Sequence, residues 1–163
     1  MHGNNISGPL PAEIWVLTNL RTLQLARNQL TGEIPDIFAG LVALEELDLS
    51  QNSFIGTIPA SIASLVNLTQ LQLDLSHNWF TGEIPEAYGT LQNLRFLYLS
   101  HNQLTGEIPP SILMLPKLQF LHFNNNNGLF ATLRQDVDAR LTMIQWQSAK
   151  FDSPGENKSE ELE

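Results

Sequence analysis

Few residues in this chain are placed to make or break bonds. It has no cysteine, which removes disulfides, thiolate metal ligands and a cysteine nucleophile. No phosphate loop, Gly-x-Gly-x-x-Gly run, zinc-helix histidine pair or Gly-x-Ser-x-Gly elbow occurs. The histidines are His2, His77, His101 and His122. His77 and His101 share one column of the repeat described below, with Gln51 and Asn125, about one strand spacing apart. Two imidazoles leave most of a metal's coordination shell unfilled, so these read as solvated histidines, with no metal and no cofactor expected. Glu46, Asp48 and Asp74 fall on outward strand positions of neighbouring coils. Close carboxylates can hold a cation or raise one pKa. Without a surrounding cage of backbone oxygens they read as a screened acidic surface. No catalytic residue is assigned, and the chemistry left to this chain is recognition.

What positions these side chains is a repeat. Gly8-Pro-Leu-Pro11, Gly32-Glu-Ile-Pro35, Gly56-Thr-Ile-Pro59, Gly82-Glu-Ile-Pro85 and Gly106-Glu-Ile-Pro109 recur at steps of 24, 24, 26 and 24 residues. Four residues before each glycine stands an asparagine: Asn4, Asn28, Asn52, Asn78 and Asn102, with Asn126 a further 24 residues on. Leucines precede the asparagines in step, as Leu20, Leu23 and Leu25 before Asn28, and Leu94, Leu97 and Leu99 before Asn102. The spacing is L-x-x-L-x-L-x-x-N-x-L, which builds one strand per coil of a solenoid. Alternation of period two turns Leu23 and Leu25 inward and Gln24 outward. A parallel strand needs a crossover, and the rest of each coil supplies it on the convex side. Asparagine both donates and accepts, so Asn28, Asn52, Asn78, Asn102 and Asn126 are expected to form a ladder that satisfies backbone groups at the turns. Inward apolar positions follow at Ile14, Phe38, Ile62, Tyr88 and Ile112, and again at Leu17, Leu41, Leu65, Leu91 and Leu115. The coil from Asn52 to Asn78 carries two extra residues. An even insertion keeps the in-out alternation, so Leu73 and Leu75 are expected inward, with Leu71 extending the strand or sitting in a bulge.

The run Leu-Thr-Gly-Glu-Ile-Pro at Leu30–Pro35 and Leu104–Pro109, with Phe80–Pro85 as its near copy, resembles the plant-type leucine-rich repeat family. The resemblance covers residues 1–127. The fold expected is α/β: a curved right-handed solenoid of about five 24-residue repeats with a parallel concave sheet. The resemblance implies a second short sheet near the Gly-x-Ile-Pro run, 3₁₀ turns on the convex side, and kinship with receptor-like kinase and receptor-like protein ectodomains and polygalacturonase-inhibitor-like proteins. Function is expected in signalling or defence, through a protein or peptide ligand, at the cell surface or outside the cell. The N-terminus lacks the basic start and apolar core of a signal peptide, which leaves a cytoplasmic location open.

Three segments are expected: the solenoid over 1–127, starting mid-repeat; a capping segment over 128–151; and a disordered acidic tail over 152–163. Met1 takes the column of Leu25 and Leu49. The expected reading is a fragment or truncated form, with a dimer through the exposed first coil as the other use of that open end. Thr132-Leu-Arg-Gln135 fits a capping box, and Leu133, Val137, Leu141 and Ile144 follow at helical spacing. A helix over 133–147 is expected to close the last coil.

Composition agrees with a packed repeat. The 163 residues include 28 leucines and 14 asparagines, and only 15% are charged. The net charge of -9 argues against a nucleic-acid partner. No run approaches the 18 or so apolar residues of a membrane span, so no membrane insertion is expected of this chain. Asn5 and Asn67 head Asn-x-Ser/Thr glycan acceptor sequences, relevant in a secreted protein.

The candidate ligand face is the outward side of the strands. One column reads Gln24, Asp48, Asp74, Tyr98, His122; its neighbour reads Thr22, Glu46, Gln72, Phe96, Phe120. Early coils are polar and acidic, and later coils gather Phe96, Tyr98, Phe120 and His122. Inward positions are already filled by leucine, so these rings are expected exposed, as binding anchors. The competing reading is that residues 128–151 fold back over them. Candidate contacts are Phe96, Tyr98, His101, Phe120, His122, Glu46, Asp48 and Asp74. A surface-binding solenoid for cell-wall polysaccharide or ice is the alternative, as is a regulatory module of a larger enzyme such as a receptor kinase.

Overall fold

The computed structural model describes residues 3–68, 72–126, 128–131 and 145–147. Along the chain the strands are β1 (Ser7–Gly8), β2 (Thr22–Gln24), β3 (Gln29–Glu33), β4 (Glu46–Asp48), β5 (Ser53–Ile55) and β6 (Gln72–Asp74). They continue as β7 (Thr81–Gly82), β8 (Phe96–Tyr98), β9 (Gln103–Glu107), β10 (Phe120–His122), β11 (Gly128–Phe130) and β12 (Gln145–Gln147). The even-numbered strands form one parallel sheet in the order β12-β10-β8-β6-β4-β2. Its register pairs Leu23 with Leu47, Leu47 with Leu73, and Leu73 with Leu97. Strand periodicity therefore became a stack of identical coils.

The odd-numbered strands make the second sheet, as β1-β3-β5 and β7-β9-β11. The two parts are connected by an isolated parallel bridge between Thr57 and Thr81. Crossovers on the other side are 3₁₀ turns at Ala12–Val16, Phe38–Gly40, Ala60–Ser64 and Glu86–Thr90, and a short helix α1 at Pro110–Leu113. Pro11, Pro59, Pro85 and Pro109 each stand just before a turn, at φ of -68°, -63°, -60° and -54°. The ring presets this angle and the missing N–H removes no ladder bond.

The core runs the length of the described solenoid. Leu47, Leu49, Leu73, Leu75, Leu97 and Leu99 are fully buried. Leu73 and Leu75 are thus the inward pair of the long coil, while Leu71 lies outside the described residues. Phe54 and Phe80 stack with centroids 6.3 Å apart. Tyr88 is also buried, and its hydroxyl donates to the Pro59 carbonyl at 3.1 Å. Burial pushes its pKa well above the ordinary tyrosine value.

Asparagine fills the predicted ladder. The Asn78 amide donates to the carbonyls of Leu49, Leu75 and Ser76, and its Oδ1 accepts from the Phe54 N–H. Asn52 and Asn102 repeat the pattern one coil away. Asn28 and Asn126 close the described ladder, accepting from the N–H groups of Ile6 and Leu104. Each amide ties its own coil to the one before it, so the ladder fastens consecutive coils together along one edge.

Three expectations are corrected. Leu17 is not inward but 48% exposed. Trp15 takes the inward place instead, 3% exposed and edge-on to Phe38 at 4.9 Å. Gly128–Phe130, which lacks the Gly-x-Ile-Pro run, still pairs with β9 as a strand of the second sheet. The expected helix does not reach 147, since Gln145–Gln147 pairs in parallel with β10. Residues 132–144, which hold the capping box and most of that helix, and the tail over 152–163 lie outside the described residues.

Candidate recognition surface

The outward columns of the concave sheet stand in register. Glu46 pairs opposite Thr22 and Asp48 opposite Gln24. Asp74 pairs opposite Asp48 and Tyr98, and Phe120 and His122 lie opposite Phe96 and Tyr98. The face divides into an acidic half and an aromatic half.

In the acidic half, Asp48 and Asp74 each turn back on their own strand end. Asp48 Oδ1 accepts from the Ser50 N–H at 3.0 Å and its hydroxyl at 2.7 Å, and Asp74 Oδ1 accepts from the Ser76 N–H at 2.9 Å. Partial burial raises the Asp74 pKa above the usual carboxylate value, partly offset by the Ser76 hydrogen bonds. Glu46 accepts from the Gln24 amide at 2.6 Å. Among the described residues no three histidines or carboxylates converge as metal ligands.

In the aromatic half, Phe96 stacks on Phe120 at 5.1 Å and on Tyr98 at 6.4 Å, and Tyr98 meets His122 edge-on at 4.8 Å. The Arg95 guanidinium carbon lies 5.5 Å from the Phe96 ring centre. Each of these rings is half-buried rather than exposed, because the rings cover one another. Burial lowers the His122 pKa and raises that of Tyr98, Asp74 adding to the rise in Tyr98. An imidazole, a phenol and a carboxyl group thus sit together, offering donors and acceptors around an apolar platform. The one described part of the segment over 128–151 that meets this sheet, β12, extends it edge to edge beside β10.

His101 stands apart from these rings. It lies one turn later, in a column where five non-glycine residues adopt left-handed backbone: Arg27, Gln51, His77, His101 and Asn125, at φ of 54° to 58°. Such residues cost about 1 kcal/mol or more each, and the ladder bonds flanking them hold the turn in place. His77 and His101 stack at 3.9 Å, and the Asn125 amide approaches the His101 ring. Burial lowers the His77 pKa, with further help from His101. The sequence showed this column but not its backbone; asparagine and histidine are enriched at positive φ, which is the signal that was available. Asn5 and Asn67 are exposed, and Asn67 donates to the Val42 carbonyl at 2.8 Å. The exposed Trp79, beside the histidine pair, was not singled out by its spacing.

Comparison with known proteins agrees with this architecture. The signature "Leucine rich repeat" matches residues 18–80, and "Leucine Rich repeats (2 copies)" matches 92–136. No curated protein sequence matches the chain. Among solved structures, the plant peptide hormone receptor RGFR1 in complex with RGF2 is 34% identical, with a TM-score of 0.81 over 90% of this chain and 24% of that chain. The ectodomain of the receptor kinase SOBIR1 from Arabidopsis thaliana is 32% identical, with a TM-score of 0.75 over 82% of this chain and 71% of that chain. A plant ice-binding protein is 36% identical, with a TM-score of 0.75 over 82% of this chain and 42% of that chain. The chain thus spans about a quarter of the hormone receptor's length and most of the shorter ectodomain's. Repeat, ladder, paired sheets and sequence likeness all agree: the chain belongs to the plant-type leucine-rich repeat family, with the architecture of plant receptor-kinase ectodomains.

Proposed function

We propose that this chain is a non-catalytic recognition scaffold whose concave face binds an extended peptide at the cell surface. The observation that carries the reading is the division of that face into a half-buried aromatic platform, Phe96, Tyr98, Phe120 and His122, and an adjoining acidic patch, Glu46, Asp48 and Asp74. Rings that are pre-packed lose little side-chain freedom when a ligand lands on them, which favours affinity. The carboxylates favour a ligand with a basic residue on that side and speed its approach. A similar receptor kinase is in complex with a peptide hormone, which supports a peptide as the ligand class. The ice-binding alternative needs a regular array of matched side chains, and these columns are mixed.

Selection of a displayed linear-peptide library on the whole chain tests this. Enriched peptides should carry an apolar or aromatic residue next to a basic one. Phe96→Ala and Tyr98→Ala should each weaken such a peptide by about 2 kcal/mol, or roughly thirtyfold. Absence of enrichment, or binding by both variants as tight as by the parent, rejects the concave site.

A further inference from the structure

A second, chemically different groove lies beside the concave sheet. It is an open cleft of about 430 Å³. Trp79, His77, His101 and Gln103 line it above the ladder residues Asn78 and Asn102. Trp79 is 55% exposed, an unusual state for the largest apolar side chain in a chain whose core has already been filled.

The floor and the walls play different roles. The amides of Asn78 and Asn102 are fully engaged with backbone carbonyls and N–H groups of their own and neighbouring coils. They shape the cleft and have no bonds to spare. Polar recognition falls to the walls: the exposed Gln103 amide, the His77 and His101 rings, and the Trp79 indole N–H. Stacking at 3.9 Å fixes the two imidazoles as one plate. The Gln103 amide both donates and accepts, the imidazoles add ring nitrogens, one of which meets Asn125, and the indole N–H donates only.

Charge narrows the ligand further. The chain carries a net charge of -9, yet no carboxylate, ammonium or guanidinium lines this cleft. An uncharged ligand is therefore matched to it, and a charged one would lose hydration without gaining an opposite charge. A flat aromatic face next to groups that both donate and accept suits a molecule with an apolar face and a rim of hydroxyls. A pyranose ring has that form: its C–H face lies on an indole while its hydroxyls meet amides and imidazoles.

We infer that the Trp79 cleft is a binding site for one ring of a neutral glycan. The site is separate from the concave platform and does not rest on the peptide reading.

Calorimetric titration of the whole chain with cellohexaose and with mannohexaose, paired with nitrogen-edited NMR of the indole N–H groups, tests the inference. At least one of the two sugars should saturate the protein with a Kd of about 1 mM or tighter. The Trp79 indole signal should shift. Trp79→Ala, a change at an exposed side chain, should fold as the parent and weaken binding at least about tenfold, a loss of 1.4 kcal/mol. Gln103→Ala should weaken it less, and the Phe96→Ala/Tyr98→Ala double variant should bind sugar as the parent does. Failure of both hexasaccharides to saturate, unchanged binding by Trp79→Ala, or an equal response to a charged oligogalacturonide would overturn the assignment.

Discussion

At the scale of single residues, the asparagines carry more of the fold than their polarity suggests. Asn78 is buried, and one side chain satisfies three carbonyls and one N–H drawn from two coils. Leucine could fill the space but would orphan the Phe54 N–H and strip one donor from each of the three carbonyls, which keep bonds from Asn52, Asn102 and Gln51; a buried unsatisfied group costs about 1–3 kcal/mol. Asn78→Ala is therefore expected to destabilise the chain by about 1–3 kcal/mol. Urea unfolding checks this, and a midpoint within error of the parent would show the ladder to be dispensable. Spacing alone made this role legible, because only a residue that both donates and accepts suits a turn recurring every coil. Trp15 was not legible. Its burial depends on facing Phe38 in the next coil, while Leu17, which fits the repeat better, faces water.

At the scale of elements, the left-handed turn between concave strand and ladder sets up a proton response. His77 sits at φ 54° against His101, and burial followed by the charge of His101 lowers its pKa below 6.5. The unfolded chain then binds a proton more readily than the folded one. The stability contributed by neutral His77 is full above about pH 6.5 and is lost as pH falls below it. His122, lowered by its own burial, acts in the same direction. Thermal midpoints should drop between about pH 7.5 and about pH 5.5. His77→Asn keeps a residue that tolerates this backbone and should flatten the drop. A parent and variant with parallel pH profiles would exclude His77 as the source. The strands themselves were readable from the period-two leucines. The second-sheet strand at Gly128–Phe130 was not, because its pairing to β9 survives without the motif that marks the others.

At the scale of the whole molecule, the structure is nearly one-dimensional: each coil packs on its neighbours and on little else. Residues 79–102 make one complete coil, running from just after one ladder asparagine to the next. Deleting them should leave Asn78 in the place of Asn102 and a shorter folded solenoid. Cooperative urea unfolding should persist with an m-value lower by roughly a fifth, since less surface is exposed on unfolding. Loss of the cooperative transition would mean the coils are not interchangeable. The same deletion removes Phe96 and Tyr98 from the concave face, so peptide selected on the parent should no longer bind.

The sequence by itself determined the solenoid, the inward leucines, the ladder and the two outward columns, because each follows from a period, and a period survives without knowledge of distance. Even the two-residue insertion before Leu73 was readable, since parity alone decides which way a strand side chain points. Only the tertiary structure decided which of those positions act together. The rings at Phe96, Tyr98, Phe120 and His122 fall in two adjacent columns, but their mutual stacking depends on rotamers chosen across two strands. His101 was grouped with them by sequence and parted from them by a left-handed turn that stacks it on His77, at the cleft it lines with Trp79. Backbone handedness at one residue and the burial of Trp15 against Phe38 are set by neighbours from other coils, and a periodic pattern contains no information about such contacts.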